Sequence, residues 1–133
     1  MSGAPPELLE RVPLFSGLGR RERVEIASSM KGRSLEPGET IAVEGELGVG
    51  FFVIESGTAR VTIGGDERRK LGPGDHFGEI ALISGAPRSA TVTAETPVKC
   101  WGLTSWEFRP LVQGSPAVMW SLLESLAKML SDR

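Results

Sequence analysis

The stretch from Phe51 to Gly65 reads FFVIESGTARVTIGG: two short apolar runs, a Ser-Gly-Thr break between them and a Gly-Gly pair after the second. In the second run Ala59, Val61 and Ile63 alternate with Arg60 and Thr62. That is the two-residue period of a strand with one inner and one outer face. The glycine-bearing breaks are too short to hold a crossover helix, so neighbouring strands turn straight back.

Outward from this stretch the same grammar repeats. EPGET, EGELGVG, ESGT, IGGDE, LGPGD and SGA punctuate the chain between Pro37 and Gly85, with TIAVE, FFVIE, ARVTI, KL and HFG between them. ATVTAETPVKCWGL then supplies two further strand-like runs. Many short strands with close-set turns predict an antiparallel jelly-roll-like β-barrel rather than a parallel α/β sheet. Arg68, Arg69 and Lys70 form a basic run that reads as a solvated hairpin.

The ends have a different period. PPELLERVPLF reads as a short helix and GRRERVEIASSMKG as a longer one, with Val24, Ala27 and Met30 on its inner face. After the strands, SWEFRPLV reads as one or two helical turns broken near Gly114. Ser115 is placed to cap a last helix, with Pro116 at its first position and a broad stripe from Val118 through Leu122 and Leu126 to Leu130. The expected organisation is one domain over residues 1–133: an N-terminal helical segment over 1–32, a mainly β barrel over 33–104 and C-terminal helices over 105–133.

Composition removes several function classes. The 133 residues carry a net charge of −2 and are 24% charged, which gives no support for a nucleic-acid-binding face. No apolar run approaches the length of a membrane span, and the first residues lack a secretory signal pattern. The lone Cys100 can form no internal disulfide and reads as a small core residue, in keeping with a cytoplasmic protein. With His76 as the single histidine, a His-cluster metal site cannot be built, and the residue reads as a solvated turn position at a strand end. No G-x-S-x-G nucleophile motif is present, so no enzyme, metal or cofactor is expected.

The chemistry concentrates between Phe77 and Val92, FGEIALISGAPRSATV. Here Glu79 and Arg88 stand in an otherwise small or apolar stretch, as a buried ion pair or as a pocket for a ligand with an anion and a hydroxyl. Gly78 permits a tight turn where backbone can come close to a ligand. Glu79 would open a single helical turn, whose first N–H groups attract an anion. Arg88 offers a planar fork for two phosphate oxygens, while Ser89 and Ala90 are small enough to bring their N–H groups against an oxyanion. Glu79 is suited to accept a sugar hydroxyl proton. One arginine, with no Walker lysine and no paired carboxylates for magnesium, under-neutralises a triphosphate; a cyclic phosphodiester carries the single charge this stretch can match.

This segment resembles the phosphate-binding cassette of the cyclic nucleotide-binding domains, written F-G-E-[LI]-A-L…P-R-[AST]-A-[TS]-V. VPLFSGL, PGETIAVEGE, FFVIESGTARV and LGPGDHFGE resemble strands and turns of the same domain. Such domains occur in catabolite-activator-type regulators, cyclic-nucleotide-dependent kinases and gated ion channels. The resemblance implies a ligand, cAMP ahead of cGMP, held by Gly78, Glu79, Ile80, Ala81, Arg88, Ser89 and Ala90, with Val61 along the base. It also implies that the last helix folds over the base as a lid, Met129 among the residues that would meet it, and carries the signal. A ligand-free scaffold that kept the fold is the alternative function. A seam for a second copy or a partner protein is the alternative use of the last helix. Met1 and the tail LAKMLSDR fit a chain complete in itself, part of a larger regulator being the other option.

Overall fold

Period-two runs joined by glycine turns can bury their inner faces only against one another, and the chain does this with two sheets. In a computed structural model, residues 3–12, 15, 18–47, 50–78 and 83–131 are described. The strands are β1 (Lys31–Leu35), β2 (Thr40–Ala42), β3 (Gly50–Ser56), β4 (Ala59–Ile63), β5 (Asp66–Leu71), β6 (His76–Phe77), β7 (Thr91–Ala94) and β8 (Val98–Thr104). One antiparallel sheet has the order β1-β8-β3-β6 and the other β2-β7-β4-β5. Every connection except β4 to β5 passes from one sheet to the other, which is the jelly-roll pattern.

The sheets are not closed into the barrel that the strand pattern predicted. Among the described residues no ladder joins them. The outer edges explain why: β5 exposes Asp66, Glu67, Arg68, Arg69 and Lys70, and β1 exposes Lys31 through Ser34. Charged, solvated edges resist further pairing. The basic run expected in a hairpin thus forms most of an edge strand. β1 itself was not visible as a strand, since only Leu35 of its residues is buried, and it begins slightly ahead of the boundary at 33. At the β3–β4 corner Gly57 has φ +88°, and a Cβ there would collide with the carbonyl of Pro97. That corner requires glycine.

Among the described residues, four helices are α1 (Pro6–Glu10), α2 (Arg20–Ser29), α3 (Ser105–Gly114) and α4 (Pro116–Ser131), and they pack on the first sheet. Ser115 caps α4 as its sequence indicates, its Oγ accepting from the Val118 N–H at 3.3 Å, with Pro116 at the first position. In α2 the inner face is Ile26 and Ala27, while Val24 is exposed, one position away from the three-residue spacing read in the sequence.

Two cores result. Leu8, Leu9, Val12 and Phe15 join Met30, Phe51, Val53, Leu103, Phe108, Val118 and Leu122 between helices and sheet. Leu35, Ile54, Ala59, Val61, Leu71, Phe77, Val92, Ala94, Val98 and Cys100 fill the space between the sheets. The alternation along β3 divides them: Phe51 and Val53 face the helices, Phe52 and Ile54 the opposite sheet. His76 is not a solvated turn residue. It lies in β6, half-buried, opposite Val53, with its ring 5.5 Å from that of Phe51.

Candidate functional site

The inner face of β4 supplies the apolar wall. Ala59 pairs with Leu71 and both are buried, Arg60 pairs with Lys70 and both point outward, and buried Val61 pairs with Arg69. Directly opposed residues share a face of the sheet. Val61 also pairs with Val92 of β7 on its other side, and half-buried Ala90 packs against this same core. The placement of exposed Arg69 opposite Val61 is a feature that the sequence reading did not foresee. Its signal lies in register, because the parity of Arg69 with Val61 cannot be counted until the bulge between Val61 and Thr62 is seen. The side chain of Arg69 makes no ion pair among the described residues.

Gly78 follows β6 with φ +102°. A Cβ there would strike the Gly50 carbonyl and lie 2.9 Å from Nη1 of Arg88. The close approach expected at this glycine is therefore made by the arginine and by the start of β3. Residues 83–84 are helical, the helical turn expected to open at Glu79 lies outside the described residues, and Ser84 Oγ accepts from the Ala86 N–H at 3.1 Å.

Arg88 is 7% exposed, a charged residue inside the molecule. Its backbone is clasped by the β2–β3 turn: its N–H donates to Glu46 O at 2.8 Å and its carbonyl accepts from Gly45 N–H at 2.9 Å. Its guanidinium donates through Nη2 to Gly50 O at 2.7 Å and through Nη1 to Gly78 O at 3.4 Å. Those carbonyls come from the neighbouring ends of β3 and β6 and fix the plane of the fork. A buried cation is costly unless it is so bonded. Ser89, next along the chain, is exposed. Glu79, Ile80 and Ala81 lie outside the described residues, as does the side chain of Met129.

The structure thus brings Gly78 and Arg88 together beside the start of β3 in the first sheet, and Val61 and Ala90 together in the core between the sheets, with Ser89 at the surface. The last helix is placed differently from a lid over them. Val118 and Leu122 are buried in the helix-side core and Leu126 packs on it, while Leu130 is 64% exposed. Met119, Trp120 and Leu123 also face outward. Of the other tryptophans, Trp106 is exposed and Trp101 is half-buried, donating from Nε1 to Glu55 Oε1 at 2.8 Å. Cys100 is buried, and burial pushes its thiol up to about 11 against the opposing pull of Arg33 and Lys99. It stays protonated at neutral pH and acts as an apolar filler.

With this geometry in place, comparison with known proteins is decisive. Residues 32–115 match the family model of the cyclic nucleotide-binding domain. The chain belongs to that family. It is similar to a cAMP-dependent protein kinase regulatory subunit of Yarrowia lipolytica, with 44% identity over 93 residues, 68% of this chain and 25% of the relative. It is also similar to a cyclic nucleotide-gated potassium channel of Mesorhizobium japonicum, with 41% identity over 112 residues, 84% of this chain and 31% of the relative. Among solved structures it superimposes on the regulatory domain of Toxoplasma gondii PKA with cAMP, with TM-score 0.82 and 30% identity. That superposition covers 96% of this chain and 49% of that one. The domain spans a quarter to a third of the length of these two curated relatives. No described helix is long and apolar enough to cross a membrane.

Proposed function

We propose that the domain binds a 3′,5′-cyclic nucleotide against the turn around Arg88, cAMP in preference to cGMP, and serves as the sensing part of a cytosolic regulator. The observation that carries this reading is Arg88 itself: a buried guanidinium whose plane is held by Gly50 O and Gly78 O. A fixed planar fork is matched to a two-oxygen acceptor of charge minus one, and a cyclic phosphodiester is such an acceptor. The N–H groups of Ser89, Ala90 and Ala81 complete the anion's shell, Glu79 accepts the ribose hydroxyl, Gly78 lets the sugar approach, Ile80 lines the turn and Val61 lies along the base. The preference for cAMP rests on the kinase regulatory relatives.

Discrimination is weak in this reading. Ser89 offers a hydroxyl to either nucleotide, and Arg69, sharing a face with Val61, can pair with the two acceptors on the outer edge of guanine. The signal passes through α4: nucleotide favours a second position of the helix in which Met129 and its neighbours cover the base, and a ligand shifts such an equilibrium only by binding the two states unequally. The exposed Met119, Trp120 and Leu123 give that helix apolar area to bury after moving, on the base or on a partner. Calorimetric titration with cAMP and cGMP is the test. Saturable binding of cAMP, with cGMP weaker, supports the sensor; no heat from either at millimolar concentration leaves the scaffold reading standing.

A further inference from the structure

Past the end of β2 the chain stays beside the segment that runs from Arg88 into β7. Ala42 pairs with Val92, and the Glu44 N–H donates to Thr91 Oγ1 at 2.9 Å. The Gly45 N–H then donates to Arg88 O at 2.9 Å, and Glu46 O accepts from the Arg88 N–H at 2.8 Å. These bonds use backbone on the side of residues 44–46, so they hold Arg88 whatever side chain stands at position 44. The side chain of Glu44 makes a separate contact. Its Oε1 accepts from the Gly64 N–H at 2.9 Å, in the turn between β4 and β5.

That turn is weakly held by its own sheet. β4 pairs with β7 only as far as Thr62, opposite Thr91, so Ile63 and Gly64 have no paired residue on that side among the described residues. On the other side the β4–β5 ladder is interrupted by the bulge between Val61 and Thr62. A bulge leaves its extra residue unpaired and disrupts the ladder locally. This one follows Val61 directly, the residue assigned to the base. The tip itself is Gly64-Gly65, with no side chain to anchor it. We propose that Glu44 is a positioning residue of the nucleotide site, tying the hairpin that carries Val61 to the turn that clasps Arg88. The proposal rests on the cyclic nucleotide reading and refines it: the backbone of residues 44–46 sets the phosphate end of the site, and the Glu44 carboxylate sets the base end through Gly64.

The test compares the full chain with Glu44→Ala and Glu44→Gln. Each is titrated with cAMP and with methyl riboside 3′,5′-cyclic phosphate, which keeps the sugar and phosphate and lacks the base. The weaker ligand is measured by competition against cAMP. Glu44 is exposed, so both variants should keep a melting temperature close to the parent's. Glu44→Ala should weaken cAMP by roughly three- to tenfold, the range of one intramolecular hydrogen bond, and leave the ligand without a base unchanged. Glu44→Gln keeps an acceptor oxygen for Gly64 and should restore most of the cAMP affinity. The Gly64 amide should exchange faster with solvent in Glu44→Ala than in the parent. Parent-like cAMP affinity in Glu44→Ala overturns the proposal alone. An equal loss for both ligands overturns it as well, because the turn would then act on the phosphate end, and so does a Glu44→Gln variant as weak as Glu44→Ala. A parent chain that binds neither ligand overturns the cyclic nucleotide reading itself, and this proposal with it.

Discussion

The two cores differ in grain. On the helix side the buried residues are large: Phe15, Phe51, Leu8, Leu9, Met30 and Leu103 are completely enclosed, and Phe51 stacks on Phe108 at 5.0 Å and meets Phe15 edge-on at 6.1 Å. Between the sheets small residues are more numerous, with Ala42, Ala59, Ala94, Val61, Val92, Val98 and Cys100 beside the larger Leu35, Ile54, Leu71 and Phe77. Of the largest completely buried side chains among the described residues, only Ile54 and Leu71 lie there. A core of large interlocking side chains holds the fold and leaves no room. A core of small ones leaves room, and the charged Arg88 sits at its margin. The two faces of the first sheet thus carry cores of different grain, and the proposed site lies on the side of the lighter one.

The largest expected effect follows from that division. Phe51→Ala should destabilise the domain by about 3–5 kcal/mol, because three aromatic neighbours lose their common partner and cannot collapse into the gap. Denaturant unfolding measures it. Val61→Ala, on the other side of the division, should cost about 1–2 kcal/mol or less from the lost methyl groups alone. Equal losses at the two sites would show that the cores do not divide the work.

Arg88→Ala comes next and acts on binding. Removing the fork leaves a phosphate charge without its two-point partner, so cyclic nucleotide affinity should fall by roughly 2–5 kcal/mol. Glu79→Ala should cost less, on the order of 1.5–3 kcal/mol, the value of a hydrogen bond to a charged acceptor. Titration of both variants gives the order, and near-zero effects in both would place the ligand elsewhere. In the parent chain, cAMP at 100 times its dissociation constant should add about 2.7 kcal/mol of stability, read as a rise in melting temperature. An unmoved melting temperature with both nucleotides would argue that the smaller core is only a lighter core.

What was legible in the sequence follows the same line. Strands with a period written in apolar residues, such as β3 and β4, and helices with a capping signal, such as α4 after Ser115, could be read directly. β1 could not, because an edge strand with four exposed residues writes no period. The open edges of the sandwich were missed for a related reason: turn spacing predicts that strands pair, and only the charge on β1 and β5 indicates where pairing stops. Arg88 could be picked out as a candidate from residue type and spacing and from the resemblance of its segment to the phosphate-binding cassette. Its clasp by Gly45 and Glu46 could not, since those contacts join positions more than forty residues apart, and the Val61–Arg69 pairing depends on a bulge that leaves no sequence mark.

The smallest effect tests the seam where the two faces meet. Glu107, in the first turn of α3, closes a capping box with Thr104: its Oε1 accepts from the Thr104 N–H at 3.0 Å and from the Thr104 hydroxyl at 2.8 Å. The Thr104 backbone bond first, then the hydroxyl, holds the Glu107 carboxyl below the ordinary glutamate value, with Lys31 adding a lesser pull. A carboxyl lowered in the folded state contributes stability that is present above its unfolded value and is lost as the pH falls through its folded one. Glu107→Ala should therefore cost about 1 kcal/mol at neutral pH, the usual value of a lost helix cap. The difference between parent and variant should shrink in the acid range below the ordinary glutamate value. Melting curves of both proteins across that range measure the difference directly. A gap that stays constant into acid would mean that Glu107 acts by packing rather than by its charge-assisted cap, and that the start of α3 is fixed from the helix-side core through Phe108.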